Sequence, residues 1–244
     1  MNVIIPMAGR GKRFEEAGYS FPKPLIDVNG KPMIQIIVEN LNLSANHIFI
    51  CQKEHVEKFA IRDLMNLLKP NSKIISIDKI TQGAAETVLL AKDLINNDDE
   101  LIIANSDQWV DWNNQHFLSF MRNKEADGGI VTFIATHPKW SYVRIDEESS
   151  IVKEVAEKRP ISNIATVGIY YYKHGKDFVE AAEQMIKKNI RTNNEFYVAP
   201  VFNEMIGSGK KIYIYPVAEM KGLGTPEDLR QFLNSPPKTT TTYD

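Results

Sequence analysis

Short apolar segments alternate with amphipathic segments through the first half of the 244-residue chain. The apolar, β-branched segments predict four strands, at residues 2–6, 47–51, 73–77 and 100–104. Between them, apolar side chains recur on one face of segments 32–42, 54–68 and 84–96, which predicts three helices. Such alternation is typical of successive β-α-β units, so we expect an α/β fold with a doubly wound, mainly parallel sheet.

The second half of the chain has a different pattern. Four β-rich segments joined by turns predict a smaller antiparallel extension, with strands at 128–135, 142–145, 151–155 and 165–172. Two helices, a strand and a last helix should follow, at 175–188, 197–207, 211–215 and 226–233. We therefore expect one domain over residues 1–233, made of two halves that meet near residue 125. Residues 234–244 are polar and of low complexity, which predicts a disordered tail.

Composition and charge narrow the class of protein. With 43% hydrophobic residues the chain can bury a sizeable core, and a net charge of −2 gives no general attraction to nucleic acid or to a membrane. No apolar run reaches the roughly 18 residues that a membrane span needs, and no targeting segment is apparent. A single cysteine, Cys51, excludes an intrachain disulfide. We predict a soluble cytoplasmic protein.

A glycine-rich, cationic loop follows the first strand. Gly9 and Gly11 allow the backbone to approach an anion closely, while Lys12 and Arg13 supply positive charge, and Lys23 follows between two prolines. The loop should leave the carboxyl end of a buried strand, where open α/β sheets bind ligands. Its spacing fits neither a P-loop nor a dinucleotide-binding motif. The loop is predicted to bind phosphates.

The fuller pattern is Ala8-Gly9-x-Gly11-x-Arg13-Phe14 followed by Pro22-Lys23-Pro24-Leu25. It resembles the signature loop of the sugar-phosphate nucleotidyltransferases, the nucleotide-sugar pyrophosphorylase family, over about residues 2–233. Lys12 replaces the usual Thr or Ser. The resemblance implies the nucleotide-diphospho-sugar transferase fold, with nucleotide-binding and acceptor-binding halves divided near residue 125. It also implies catalytic roles for Arg13 and Lys23, and nucleotide contacts from Ala8, Gly9, Gly11 and Lys12.

Asp107 follows the fourth strand and is a candidate metal ligand. A carboxylate at that end of the sheet could hold Mg²⁺ against phosphates, although an Asp after a strand is more often a turn former. In the resembling family an Asp in this place binds the metal, which implies Mg²⁺ as the cofactor here.

A second metal carboxylate of the family is missing from the sequence. The matching run, residues 220–228, has Gly222 in its place. Asp107 could then hold the metal together with substrate phosphates and water. Another acid, such as Glu219 or Asp111, could instead supply the second carboxylate. The missing acid could also mean an altered activity. Asp228 is explained as part of a helix start.

Gln82 and Gly83 precede a predicted helix and are candidates for base recognition. A Gln amide can read a base edge, and Gly83 would let the base lie against backbone. A solvated Gln beside a helix-start glycine is the plainer interpretation. The resemblance assigns both residues to the base site without choosing the base.

The resemblance also places an acceptor site in the second half of the chain. Glu157 and Lys158 match the acid and lysine that bind acceptor hydroxyls and phosphate, although Arg159 interrupts the motif before its proline. Gly168 and Glu195 match two further acceptor-site elements. Outside the resemblance, a solvated ion pair explains Glu157 and Lys158 equally simply.

No serine, cysteine or histidine of the chain lies in a nucleophile motif, and the histidines lack metal-ligand spacing. A phosphorylated acceptor needs no added nucleophile, because its own phosphate oxygen can attack the α-phosphorus. The resemblance thus implies an enzyme that binds an NTP, with a pyrimidine base favoured, and a phosphorylated small molecule such as a sugar 1-phosphate. The product would be a precursor of capsules or surface glycans, and the enzyme could be a homo-oligomer.

Three alternatives stay open at this stage. A cytidylyltransferase could use phosphocholine, a polyol phosphate or a phosphoamino compound as its acceptor. A non-catalytic nucleotide-binding regulatory module is favoured by Gly222 and opposed by the presence of Arg13, Lys23 and Asp107. A glycosyltransferase of similar fold would need an Asp-x-Asp motif, of which only Asp107 is present.

Overall fold

A computed structural model describes residues 1–237 of the chain. The strands are β1 (Asn2–Pro6), β2 (Asp27–Val28), β3 (Lys31–Pro32), β4 (Asn46–Gln52), β5 (Lys73–Ile77), β6 (Leu101–Ala104), β7 (Gln108–Val110), β8 (Gly128–Ile134), β9 (Ser141–Ile145), β10 (Val152–Glu157), β11 (Ile164–Tyr172), β12 (Ile212–Pro216) and β13 (Met220–Gly222). The helices are α1 (Lys12–Glu16), α2 (Met33–Leu41), α3 (Lys53–Lys58), α4 (Ile61–Leu68), α5 (Ala84–Leu89), α6 (Lys92–Ile95), α7 (Asn114–Asn123), α8 (Gly175–Lys187), α9 (Val201–Gly207) and α10 (Pro226–Asn234). A 3₁₀ turn covers Lys23–Leu25.

One mixed sheet joins the two halves of the chain. Strands β5, β4, β1 and β6 lie side by side and parallel, as the alternating pattern predicted. Strand β11 then pairs antiparallel with β6 and with β8, and β9 and β10 continue as an antiparallel hairpin. The predicted α/β fold, a mainly parallel sheet with an antiparallel extension, is therefore confirmed. The division of the domain near residue 125 stays a prediction.

Strand β1 lies at the centre of the parallel part. Ile4 pairs with Ile48 of β4 on one side and with Ile103 of β6 on the other, and Val3, Ile4 and Ile5 are fully buried. A strand covered by helices on both faces reads as a continuous apolar run, which is why the sequence identified β1 so clearly. The loops that follow β1 and β6 leave the same edge of the sheet, next to each other.

Three predicted helices differ from the structure in extent. Segment 54–68 forms two helices because Ala60 takes a left-handed conformation, φ 49°, which a right-handed helix cannot continue through. Segment 84–96 is also divided, into α5 and α6, although neither Leu90 nor Ala91 between them is left-handed. Helix α9 begins only after Pro200, because the residue before a proline is disfavoured in helical conformation.

Some elements were not predicted at all. Helix α7 is capped by Asn113, whose side chain accepts a hydrogen bond from the His116 N–H at 2.9 Å, and the helix buries Phe117, Leu118 and Met121. The two-stranded sheet of β7 and β13 was also missed, because each strand is only three residues long. That small sheet brings β13, and α10 after it, to the edge where β1 and β6 end.

The predicted tail begins later than expected. Asn234 belongs to α10, and only residues 235–237 of the described chain follow that helix. Residues 238–244, the rest of the predicted disordered tail, lie outside the described residues.

Candidate active site

A cleft of about 1060 Å³ opens where β1 and β6 end. Its lining includes twelve of the thirteen site residues predicted from the sequence: Ala8, Gly9, Gly11, Lys12, Arg13, Lys23, Gly83, Asp107, Glu157, Lys158, Gly168 and Glu195. Residues that lie up to 187 positions apart in the chain, from Ala8 to Glu195, thus face one space. The remaining predicted residue, Gln82, does not line it.

Residues 7–13 and Lys23 form one side of the cleft, which we call the glycine-loop wall. Gly11 has a left-handed φ of 63° and caps the short helix α1, which is anchored by the buried side chain of Phe14. A Cβ on Gly11 would lie 3.2 Å from Lys23 Cβ, so a glycine lets the loop approach the lysine closely. Arg10, Lys12 and Arg13 are exposed, and within residues 1–237 Arg13 makes no ion pair. This wall presents cations that are available to an anion.

Lys23 contacts the carboxylate of Asp107 across the floor of the cleft. Pro22 and Pro24 flank the lysine, and both partners of the ion pair are 20% exposed. Lys23 was predicted to bind phosphate and Asp107 to bind metal. Without ligands, each therefore neutralises the charge of the other.

Glu157, at the end of β10, belongs to a second group of residues that line the cleft. Together with Trp140, Ser141, Lys158 and Tyr197 it forms what we call the β10 wall. Ser141 Oγ donates a hydrogen bond to Glu157 Oε2. Burial raises the pKa of the Glu157 carboxyl above its usual value, and the hydrogen bond from Ser141 and the charge of Lys158 only partly oppose this.

Lys158 is held in one place by three contacts. Its backbone has a left-handed φ of 53°, and its N–H donates to the Trp140 carbonyl oxygen at 3.1 Å. Its ammonium contacts the Tyr197 hydroxyl and lies 4.6 Å from the centre of that ring. Burial, with the charges of Glu195 and Glu157, raises the pKa of the Tyr197 phenol, so the phenol is neutral at physiological pH. Glu195 itself is exposed at the rim.

Gly168 lies where strand β11 and the loop after β6 pack closely against each other. Its φ is 83°, it lies at an irregularity between β11 and β8, and its carbonyl accepts a hydrogen bond from the Asn105 N–H at 2.9 Å. A Cβ at this position would lie 2.1 Å from Gln108 Oε1 and 2.3 Å from Asn105 Nδ2. The glycine lets the loop that carries Asp107 pack on β11.

Gln82 points away from the cleft. Its side-chain oxygen accepts a hydrogen bond from Arg191 Nη2 at 2.7 Å, while its neighbours Thr81 and Gly83 line the cleft. Gly83 has a φ of 141° and a Cβ there would lie 2.3 Å from the Phe196 carbonyl oxygen, so a close backbone approach explains this glycine. The base contact predicted for Gln82 is not formed by this side-chain position and stays a prediction.

The acid missing at Gly222 is not supplied by either of the two acids suggested from the sequence. Asp111 and Glu219 do not line the cleft, and Glu219 pairs with Lys221 at 3.3 Å. Asp228 does line the cleft. Sequence reasoning explained Asp228 as part of a helix start, and its N–H does donate to Thr225 Oγ1 at 3.0 Å. No sequence signal indicated that its carboxylate would also face the cleft.

Lys139, Trp140, Ser141 and Tyr197 were likewise not predicted as site residues. Trp140 lines the cleft, and the Lys139 ammonium lies 4.6 Å from the centre of its ring. Lys139 also donates to Asp228 Oδ1 at 2.9 Å. Lys139, Trp140 and Ser141 lie where the chain enters β9, whereas Tyr197 lies between α8 and α9, and only the folded chain brings them to the same cleft as the glycine loop.

The described residues contain neither a preformed metal cage nor a membrane-spanning helix. Within residues 1–237, no three His, Cys, Asp or Glu side chains are grouped as a metal cage. No helix in that part of the chain is long and apolar enough to span a bilayer.

Comparisons with known proteins identify a matching family and several similar proteins. Residues 2–235 match the nucleotidyl transferase family. The bifunctional protein GlmU of Methanocaldococcus jannaschii is 30% identical over 175 residues, which is 70% of this chain and 40% of that protein. The chain thus spans less than half the length of that relative.

Solved structures share the fold over nearly the whole chain. A nucleoside-diphosphate-sugar pyrophosphorylase from Vibrio cholerae matches with a TM-score of 0.82 and 25% identity, covering 95% of this chain and 99% of that one. An inositol-1-phosphate CTP transferase from T. maritima has a TM-score of 0.74 at 12% identity, with 96% of each chain covered, and shows similarity of fold alone.

Proposed function

The chain belongs to the nucleotidyl transferase family, and from that premise we propose that it transfers a nucleotidyl group from an NTP to a phosphorylated small molecule and releases pyrophosphate. The observation that carries the proposal is that one cleft joins Arg13, Lys23 and Asp107 with Glu157 and Lys158. Cations for a triphosphate thus face an acid and a lysine suited to a second, phosphorylated substrate.

The proposed reaction needs no nucleophilic side chain. An oxygen of the acceptor phosphate attacks the α-phosphorus, the bond from that phosphorus to the β-phosphate oxygen breaks, and pyrophosphate leaves with the electron pair. Arg13 would bind the β- and γ-phosphates, Lys23 the α-phosphate, and Lys158 the acceptor phosphate. Catalysis then comes from positioning and from neutralising charge.

A divalent cation fits the cleft. Asp107 offers the hard carboxylate oxygens that Mg²⁺ prefers, and Mg²⁺ commonly uses only one or two carboxylates together with substrate phosphates and water. Because Gly224 lacks a side chain, the space beside Asp107 Oδ2 stays open: a Cβ there would lie only 2.9 Å from that oxygen. Bound Mg²⁺ would withdraw negative charge from the phosphates.

For the acceptor we propose a polyhydroxylated phosphate, with a sugar 1-phosphate as its first member. The Glu157 carboxylate and the Ser141 hydroxyl oxygen, whose proton is donated to Glu157, offer acceptors for sugar hydroxyls, and Lys158 offers charge for a phosphate. The two aromatic rings of the β10 wall already carry lysine ammonium groups, each 4.6 Å from a ring centre. A quaternary ammonium would have to displace one of these cations, which disfavours phosphocholine.

A cytidylyltransferase that acts on a polyol phosphate is the second candidate, and the fold shared with the inositol-1-phosphate CTP transferase supports it. The preference for a pyrimidine base and the role in capsule or surface-glycan synthesis rest on the family resemblance. The cytoplasmic location and a homo-oligomeric state stay predictions.

Pyrophosphate release tests the proposal directly. The protein is incubated with Mg²⁺ and each of the four NTPs, against a panel of sugar 1-phosphates, polyol phosphates, phosphocholine and phosphoamino compounds. We expect release with a sugar 1-phosphate or a polyol phosphate. Thermal shifts with each NTP alone report which base is preferred. Nucleotide binding without pyrophosphate release in any combination would instead support the non-catalytic regulatory module.

A further inference from the structure

A second carboxylate, that of Asp228 in α10, lies near the proposed cation site. Asp228 lies in the first turn of α10, six residues beyond Gly222, and its side chain is 13% exposed. Lys139 fixes one of its oxygens, Oδ1, at 2.9 Å. The other oxygen, Oδ2, lies 3.6 Å from the position that a Cβ would take on Gly222. The Asp228 carboxylate thus lies beside the place that a side chain of residue 222 would occupy.

Gly224 connects this carboxylate with Asp107. The position that a Cβ would take on Gly224 lies 2.9 Å from Asp107 Oδ2 and 3.9 Å from Asp228 Oδ2. Both oxygens therefore border the same small space, which stays open because residue 224 has no side chain. Mg²⁺ keeps several waters when one or two carboxylates hold it, so direct and water-bridged contacts both suit this spacing.

We propose that Asp228 is the second metal carboxylate of the site and takes the role that Gly222 cannot fill. The inference rests on the proposed function for the identity of the cation site. A glycine at 222 then agrees with an intact site, because an acid already reaches the same space from α10.

The charges around the site indicate when the cation binds. Without ligands, Lys23 neutralises Asp107 and Lys139 neutralises Asp228. A triphosphate competes for Lys23, which leaves the Asp107 carboxylate available to a cation that arrives with the nucleotide. Metal binding should therefore be measured with nucleotide present.

The test measures Mn²⁺ binding by EPR, with the protein and an equimolar NTP and no acceptor. A protein-free sample gives the affinity of the NTP itself for Mn²⁺. Asp107→Asn and Asp228→Asn should each weaken the protein-dependent binding at least about tenfold. Glu227→Gln is the matched control: it removes the neighbouring charge from the first turn of α10, its side chain is exposed, and it should bind Mn²⁺ as the wild type does.

A rescue separates ligation from a structural role at the helix start. Gly222 has no left-handed φ, and a Cβ there makes only ordinary contacts, 3.5 Å from Trp140 Cη2 and from Asp228 Cγ. Gly222→Asp combined with Asp228→Asn should regain the Mn²⁺ affinity lost in Asp228→Asn. Weak binding in the double variant would overturn the assignment, since a carboxylate on β13 should replace a lost ligand.

Wild-type affinity in Asp228→Asn, or no protein-dependent Mn²⁺ binding in the wild type, would also overturn the assignment. The proposed function is judged separately by pyrophosphate release. Release by the wild type, together with unchanged Mn²⁺ binding in Asp228→Asn, would reject Asp228 as a ligand and keep the function. No release with any substrate pair, together with weakened Mn²⁺ binding, would keep the cation site and reject the function.

Discussion

The two walls of the cleft are organised in opposite ways. On the glycine-loop wall, the side chains of Arg10, Lys12 and Arg13 are exposed. On the β10 wall, Glu157 and Lys158 are held by Ser141 and Tyr197. A triphosphate carries enough charge to attract exposed cations, whereas uncharged hydroxyl groups need donors and acceptors that are already in place.

This comparison predicts that substitutions on the glycine-loop wall change activity more than stability. Lys23→Ala should lower turnover by about 10²- to 10³-fold, because it removes a cation from the developing charge. The free energy of unfolding should change by only about 2 kcal/mol, because the Asp107 carboxylate loses its partner but keeps contact with solvent. Steady-state pyrophosphate release and urea denaturation measure the two effects.

Lys31→Ala is the control for that variant, because Lys31 forms an exposed ion pair with Glu39 outside the cleft. It should retain wild-type turnover. Unchanged turnover in Lys23→Ala would remove the catalytic role from the glycine-loop wall.

A pair of glycines compares the open glycine-loop wall with the closely packed strand β11 at the cleft. Gly168→Ala should destabilise the protein by about 3 kcal/mol, because the new Cβ meets Gln108 and Asn105 at a left-handed φ. Gly9→Ala, on the glycine-loop wall, has no atom within 4 Å of its Cβ and should change stability by less than about 0.5 kcal/mol. Equal unfolding midpoints in denaturant would contradict the close packing inferred at Gly168.

Gly224→Ala should show how strongly turnover depends on the position of the Asp107 carboxylate. Its Cβ would lie 2.9 Å from Asp107 Oδ2, so the carboxylate must move, and we expect turnover to fall about tenfold with a small change in melting temperature. Gly207→Ala, whose Cβ meets no atom within 4 Å and which lies outside the cleft, is the matched control. Equal turnover in both variants would show that Asp107 tolerates displacement.

The smallest expected effect is the pH dependence contributed by Glu157. Burial raises its pKa in the folded protein above the usual 4.5, so between 4.5 and the raised value the folded protein keeps a proton that the unfolded chain has released. The free energy of unfolding therefore falls as the pH rises through this range. Glu157→Gln cannot titrate and should lose that decline, as denaturation at a series of pH values would show. A decline as steep as in the wild type would assign the pH dependence to other groups.

Much of the fold could be predicted because its signals are local. The apolar run of β1 and the amphipathic face of α2 each depend on a short stretch of the sequence. Both elements lie within one residue of the predicted bounds. The glycine loop and Asp107 were found because each directly follows a buried strand. Helices α3 and α4 were merged in the prediction because their periodicity continues through Ala60, whose left-handed backbone no residue type indicated.

The site was predicted less completely, for a physical reason. Gln82 has the right chemistry for a base contact, but Arg191, 109 residues away, draws its amide to the outside. The position of Asp228 at a helix start already explains this residue, so nothing in the sequence predicted it as a metal ligand. Whether a side chain faces a cleft depends on the packing of distant elements, and spacing along the chain does not encode that packing.

The sequence by itself determined the alternating α/β pattern, the cationic loop and the acid after β6, because each depends on neighbouring residues. Only the tertiary structure decided that Lys23 pairs with Asp107, 84 residues away, and that Asp228 approaches the same space. Both outcomes follow from long-range pairing, of β1 with β6 and of β7 with β13, which places the loops and α10 at one edge of the sheet. The missing acid at Gly222 is a gap in the sequence motif, and in the folded protein a carboxylate from α10 lies beside it.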